Sequence, residues 1–282
     1  MKIAYVTDSG TGKSISELAA DGIISVPLQI TEGSTTYQDM ENYNKNDCIQ
    51  DLLKEKTMST SQPAYGVVEE CFRSLKSQGA ELIIAVPICN GLSGTISTMT
   101  SVAASLNMRI ICVDTYVTAV VQEYLIKRIK KAYEEGKSDL EIKLICDEVI
   151  ASANTILVPS DLNHLVRGGR LTPLAAMMAG FLKIVPILSI NKATGGRIDT
   201  CDKVRTYRKA MSRVIEIIKK DPIDENYSIT IAHVNDVKNA MSFYHMIQEA
   251  FPKASTQVIE LCNVVACHTG LGCQAIQYFK QV

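Results

Sequence analysis

The sequence predicts a two-domain α/β protein, with an N-terminal doubly wound parallel sheet and a C-terminal α+β domain whose sheet is mixed or antiparallel. Three observations predict it. Through the first half, short apolar runs rich in β-branched residues alternate with segments of helical period, the pattern of parallel strands covered by helices on both faces. The rhythm changes in the second half at NKATGG, residues 191–196, whose adjacent glycines suit a hairpin better than a helical crossover. A chain of 282 residues is also long enough for two domains, each with its own core.

Ile3–Thr7 reads as the first strand, and SGTGKS, residues 9–14, as the turn that leaves it. Gly12-Lys13-Ser14 matches the second half of the phosphate-binding pattern G-x-x-x-x-G-K-[ST], in which two glycines let backbone N–H groups curl round phosphates. The first glycine of that pattern would fall on Thr7, inside the strand, so the loop is too short for a cradle. A strand-to-helix turn with a helix from about Ser14 is expected instead. Ile23–Leu28, Leu82–Pro87 and Ile110–Val113 read as further strands buried on both faces. Asp47–Lys56, Val67–Gln78, Ile96–Leu106 and Thr118–Glu135 place apolar residues three and four apart with charges opposite, and read as helices.

The helix Leu140–Ala151 ends the first domain, so residues 1–153 are expected to form a Rossmann-like unit and residues 154–282 a second lobe. In that lobe Thr155–Val158, Ile184–Ile190, Ile198–Val204, Tyr227–Val234 and Gln257–Leu261 are strand-like. Tyr207–Lys219 and Val237–Ala250 are helical, and a glycine-containing terminal segment follows.

Composition excludes several function classes. The net charge is −1, Lys and Arg are scattered, Trp is absent and aromatic residues make up 6%, so no nucleic-acid partner is expected. No run approaches the ~18 apolar residues of a membrane span. The opening MKIAYVTD turns acidic after one short apolar run, unlike a secretory signal, and a cytoplasmic protein is expected. Nine cysteines without a C-x-x-C point to free thiols in a reducing compartment. Cys262, Cys267, His268 and Cys273 have the wrong spacing for a zinc knuckle, so no metal is expected.

Four polar segments carry the candidate chemistry. Ser59-Thr60-Ser61-Gln62-Pro63 reads as a hydroxyl-rich loop. Asn90-Gly91-Leu92-Ser93-Gly94-Thr95 leaves a strand and enters a helix, where ligands of open α/β sheets sit and where helix N–H groups attract anions. Ser93 and Thr95 there suit an acid group, or equally the capping of the helix. The loop Leu165-Val166-Arg167-Gly168-Gly169-Arg170-Leu171-Thr172 pairs glycines with an arginine able to grip a carboxylate or phosphate, or ends a helix with an exposed arginine. His268 stands at an apolar-to-glycine transition, a place more often structural than chemical for a single histidine.

In their order and spacing these segments resemble one family, the DegV proteins, which include the fatty-acid-binding subunits of bacterial fatty acid kinase. The resemblance covers essentially the whole chain: YVTDS at the start, TSQPA at 60–64, LSGT at 92–95, RGGRLT at 167–172, KIVPIL at 183–188, KVRTYRKA at 203–210 and HTGLG at 268–272. The chain departs from the family pattern at GTGKS after TDS, at Asn263 where a glycine usually precedes the two valines, and at LGCQAI near the end.

The resemblance implies a protein that encloses one long-chain fatty acid as its ligand, with no cofactor, and whose second lobe completes the lipid pocket. It maps the carboxylate's partners onto Thr60 or Ser61, Ser93 with Gly94, and His268, and puts Arg170 near the entrance. It further implies that a separate kinase subunit phosphorylates the bound carboxylate to an acyl phosphate for phospholipid synthesis, the protein itself being a monomeric carrier and not an enzyme. The logic of such a site is general: a few directed donors orient the acid while an apolar tunnel takes the tail, each buried methylene contributing about 0.8 kcal/mol. Leu174–Leu182, an apolar run with two adjacent methionines, is the candidate tunnel lining, or equally an ordinary buried helix. The alternative is a Ser/His acyl hydrolase on lipid-like esters using Ser93 and His268, although LSGT is not the G-x-S-x-G elbow and no acid is assignable to orient the histidine.

Overall fold

The computed structural model describes residues 2–178 and 184–282. It divides into two units, Met1–Asp147 with Cys262–Val264, and Glu148–Leu261 with Val265–Val282. The sequence expectation placed the change at 153/154.

In the first unit the order is β1 (Ile3–Asp8), α1 (Ile15–Ala20), β2 (Ile23–Val26), β3 (Gln29–Glu32), β4 (Thr35–Gln38), α2 (Lys45–Leu53), β5 (Met58–Ser61), α3 (Tyr65–Ser77), β6 (Leu82–Ala85), α4 (Thr95–Ser105), β7 (Arg109–Cys112) and α5 (Val120–Glu134). Four strands form a parallel sheet in the order β2-β1-β6-β7. Val6, Ile83 and Ala85 are fully buried within it, and Val68 and Phe72 of α3 with Met99 and Val102 of α4 pack against them. Continuous apolar runs mark β1 and β6 for this reason, since a parallel strand covered on both sides has no polar face. β7 at the sheet's edge is not buried on both faces as expected, its Arg109 and Ile111 being exposed. The order reverses between β1 and β6, which makes the carboxyl end of β1 a topological switch point.

SGTGKS forms the expected turn. Ser9–Thr11 is a single 3-10 turn capped by Asp8, Gly12 adopts φ +74°, and Ser14 caps α1 in a reciprocal capping box with Glu17. The motif's glycine thus ends the turn and its serine starts the helix.

A second, antiparallel sheet in the order β4-β3-β5 was not predicted. It corrects the reading of Ser59–Pro63 as a loop, since Met58–Ser61 is a strand paired with β3. The sequence MSTS hides this because it lacks apolar alternation; the ladder to β3, not side-chain burial, defines the strand.

Helix α6 (Asp139–Ser152) runs across the division. The second unit continues with β8 (Asn154–Val158), α7 (Leu162–Arg167), α8 (Pro173–Met177), β9 (Val185–Asn191), β10 (Asp199–Val204), α9 (Tyr207–Ile218), β11 (Tyr227–His233), α10 (Val237–Ala250), β12 (Ser255–Glu260), α11 (Asn263–Thr269) and β13 (Gln274–Lys280). Its six-stranded mixed sheet has the order β10-β9-β8-β13-β11-β12, antiparallel throughout except for the parallel pair β11/β12. β9 and β10 form the hairpin that NKATGG predicted. The terminal strand β13 lies at the sheet's centre, between β8 and β11, and Ile229, Ile231 and Ile276 join Val214 of α9 and Phe243 of α10 in the core.

Candidate functional site

In the first unit the TSQP and LSGT segments meet. Gly94 lies directly against Gln62 Oε1, so close that a Cβ there would collide with it. Gly94 precedes α4, and among the described residues no side chain caps that helix. The hydroxyls of Ser93 and Thr95 bond to each other instead, at 2.8 Å, with Ser93 half-buried and Thr95 fully buried. Two hydroxyls therefore stand at a helix N-terminus without serving as its cap, where the helix dipole favours an anion.

Thr60 and Ser61 are adjacent in β5 and so point to opposite faces. Thr60 pairs with the fully buried Ile30, while Ser61 pairs with Gln29 and bonds its Oε1 at 3.0 Å on the exposed face. Thr60 is half-buried and Ser61 exposed.

The switch point holds a polar network that motif reading missed. Asp8, fully buried, accepts from Gly10 N–H at 2.9 Å, Gln122 Nε2 at 2.8 Å and Ile88 N–H at 2.8 Å, which ties the end of β1 to the chain leaving β6. Gln122 Nε2 also donates to Thr7 Oγ1 at 2.9 Å. Asp39, equally buried, accepts from Asn263 Nδ2 at 2.9 Å through Oδ1, while its Oδ2 has no hydrogen-bond partner. Burial pushes both carboxyls up to about 6, against the pull of their hydrogen bonds, and the charge of Asp8 raises Asp39 further. Asn263 is the residue that meets Asp39.

In the second unit the RGGR turn and His268 come together. Helix α7 ends at Arg167, and a Cβ on Gly168 would stand 2.5 Å from His268 Nδ1. Arg170 is half-buried, and its Nη1 donates to the Gly168 carbonyl at 2.7 Å. Thr172 caps α8 and hydrogen-bonds Asp199, and its N–H reaches the Ile198 carbonyl at 2.9 Å, which fixes the turn against the sheet's edge. Burial, the Arg170 charge and His164 lower the His268 pKa to about 4. Its imidazole is neutral at neutral pH, with one ring nitrogen a donor and the other an acceptor.

Of the candidate tunnel run, Leu174 and Met177 are exposed, Ala175 and Met178 are buried, and Ala179–Leu182 lie outside the described residues. Ser93 belongs to the first unit and His268 to the second. All nine cysteines are free thiols, and among the described residues no cluster of His, Cys, Asp and Glu has the make-up of a metal site. Among the same residues no helix is long and apolar enough to cross a membrane.

The sequence profile described as "Uncharacterised protein, DegV family" matches residues 2–281. The chain belongs to the DegV family. A DegV domain-containing protein of Halalkalibacterium halodurans is 30% identical over 281 residues, 99% of this chain and 98% of that one. Among solved structures, a fatty acid binding DegV family protein of Streptococcus agalactiae is 26% identical and superposes over the whole of both chains with a TM-score of 0.90. A stearic acid-binding protein of Eubacterium ventriosum, 21% identical, shares the fold over 100% of this chain and 99% of that one with a TM-score of 0.86.

Proposed function

We propose that this protein binds a long-chain fatty acid and presents its carboxylate to a separate kinase for conversion to an acyl phosphate. The observation that carries the first half is the likeness, over both full lengths, to the fatty acid binding protein of Streptococcus agalactiae. The local chemistry agrees with it. The head-group partners are Ser93 with the backbone at Gly94, Thr60 in preference to Ser61, and His268. Ser93 and Thr95 offer hydroxyls at an uncapped helix start. Thr60 is favoured because it lies on the half-buried face of β5 opposite Ile30, whereas Ser61 faces the exposed side. A neutral His268 donates one N–H to a carboxylate without competing for its proton. The hydrolase alternative draws no support from this histidine, because a triad acid would raise its pKa, whereas the charges acting on it are those of Arg170 and His164.

The ligand is tested by native mass spectrometry of protein purified from cells, with extraction of any lipid. A mass exceeding the bare chain by one long-chain fatty acid is expected; a bare chain after gentle purification overturns the carrier reading. Presentation is tested at Arg170. Charge at the site's edge adds little to tail burial but stabilises charge that builds during phosphoryl transfer, or pairs with acidic groups on a docking kinase. Arg170→Ala is expected to keep its lipid and lose most acyl-phosphate formation with the kinase and ATP, and Arg170→Lys to recover only part, lacking the bidentate fork. A fully phosphorylated alanine variant removes Arg170 from this role.

A further inference from the structure

Helix α7 and the end of α11 are latched at two points within the second unit. His164 Nε2 lies 2.8 Å from the carbonyl oxygen of Cys267, and its Nδ1 lies 3.3 Å from Nη2 of Arg167. A guanidinium only donates, so Nδ1 accepts, the ring proton sits on Nε2, and Nε2–H donates to the Cys267 carbonyl. That carbonyl stands in the last turn of α11, where carbonyls have no amide four residues ahead within the helix. The Ala266 carbonyl takes the Gly270 N–H at 2.8 Å, and the Cys267 carbonyl takes His164. The His164 ring reaches it because Gly270, at φ +74°, has no side chain; a Cβ there would meet His164 Cγ at 3.0 Å. The second point runs the other way, with the His268 ring seated on Gly168 at the end of α7.

We infer that His164 is a positioning residue for His268: it pins the peptide plane from which the His268 side chain departs and so aims that imidazole at the fatty acid carboxylate. The bonded carbonyl belongs to the peptide that joins Cys267 to His268, so a rotation of that plane turns the His268 Cα–Cβ direction with it. Nothing about His164 in the sequence marks it, because its partner is a backbone carbonyl far along the chain. The inference rests on the fatty-acid reading above, and the test separates the two.

Two measurements on the full chain decide it: stearate affinity by calorimetry, and ring-nitrogen NMR of His268 in lipid-free protein. His164→Phe keeps a ring and loses the donor, whereas His164→Gln loses the ring and keeps a donor. The phenylalanine variant is expected to bind stearate about tenfold more weakly, the worth of one oriented hydrogen bond, and the glutamine variant to stay within about threefold of wild type. The His268 ring signals should move to a changed tautomer balance in the first and hold in the second. In a His268→Ala background, His164→Phe should cost nothing further, since residues acting through one another are not additive. Equal affinities and unchanged His268 signals across the series overturn the inference, as does an undiminished loss in the His268→Ala background. Should the phenylalanine variant not fold, His164→Asn, too short to reach the carbonyl, replaces it in both measurements. Wild-type protein that binds no stearate refutes the fatty-acid reading, while the lipid-free NMR comparison still decides the latch.

Discussion

Two side chains in the first unit separate the cost of burial from the use made of it. Ser93 and Thr95 share one hydrogen bond at the start of α4, which leaves the pair with acceptor and donor capacity that a carboxylate would satisfy. Ser93→Ala is therefore expected to weaken fatty acid binding by about 1.5–3 kcal/mol, the range for a hydrogen bond to a charged group, and to narrow the gap between acid and methyl ester. Calorimetry giving equal affinities for wild type and variant would take Ser93 out of the site. Asp39 presents the opposite case, a carboxylate with one oxygen engaged by Asn263 and the other unpartnered in the interior. An amide fits that arrangement, with its oxygen facing Asn263 and no buried charge to desolvate. Asp39→Asn should raise the melting temperature near neutral pH, whereas Asp39→Ala, which strands the Asn263 amide, should lower it. A lower melting temperature for the asparagine variant would show that the Asp39 charge is needed in the fold.

At the scale of elements, the RGGR turn shows that its two glycines serve different ends. Gly168 has φ −64°, a conformation open to any residue, but stands against the His268 ring; Gly169 has φ +70° with open space where a side chain would go. Gly168→Ala is expected to push the imidazole aside and weaken fatty acid binding about tenfold. Gly169→Ala should cost about 1 kcal/mol of stability through its left-handed backbone and leave binding unchanged. Denaturant unfolding beside calorimetry distinguishes them, and identical profiles for the two variants would refute the assignment. The turn also marks how far sequence reading reaches. Ser93, Gly94, Arg170 and His268 stand out as candidates because each lies in a short motif with its own local chemistry. Their settings were not: Gln62 against Gly94, His164 on Cys267 and Asn263 on Asp39 join residues that no local pattern relates. Thr60 and Ser61 were picked out as a pair, but only the register of β5 on β3 tells them apart.

Over the whole molecule, legibility followed burial pattern. The parallel strands of the first unit were readable through their continuous apolar runs and its amphipathic helices through their apolar period, and so was the β9/β10 hairpin through its glycines. The sheet of β3, β4 and β5 and the central place of β13 were not, since both are fixed by long-range pairing. The same long-range organisation buries Asp8 and Asp39, and their carboxyls, ordinarily near 4, sit at about 6. A carboxyl raised on folding binds its proton more tightly in the native state, so its contribution to stability is fully present below the unfolded value and is lost as pH rises through about 6. Each shift taken alone corresponds to about 3 kcal/mol less stability at neutral pH than in acid. The lowered His268 acts in the reverse sense, its contribution being lost as pH falls from the usual histidine range toward about 4. Comparing wild type with Asp39→Asn isolates the carboxylate, because the histidine is common to both. Stability differences from denaturant unfolding should be largest at about pH 7 and shrink steadily toward about pH 4, where Asp39 is protonated and resembles the amide. A difference that stays constant across that interval would mean that Asp39 does not titrate there, and that the polar network at the switch point holds its charge in the folded protein.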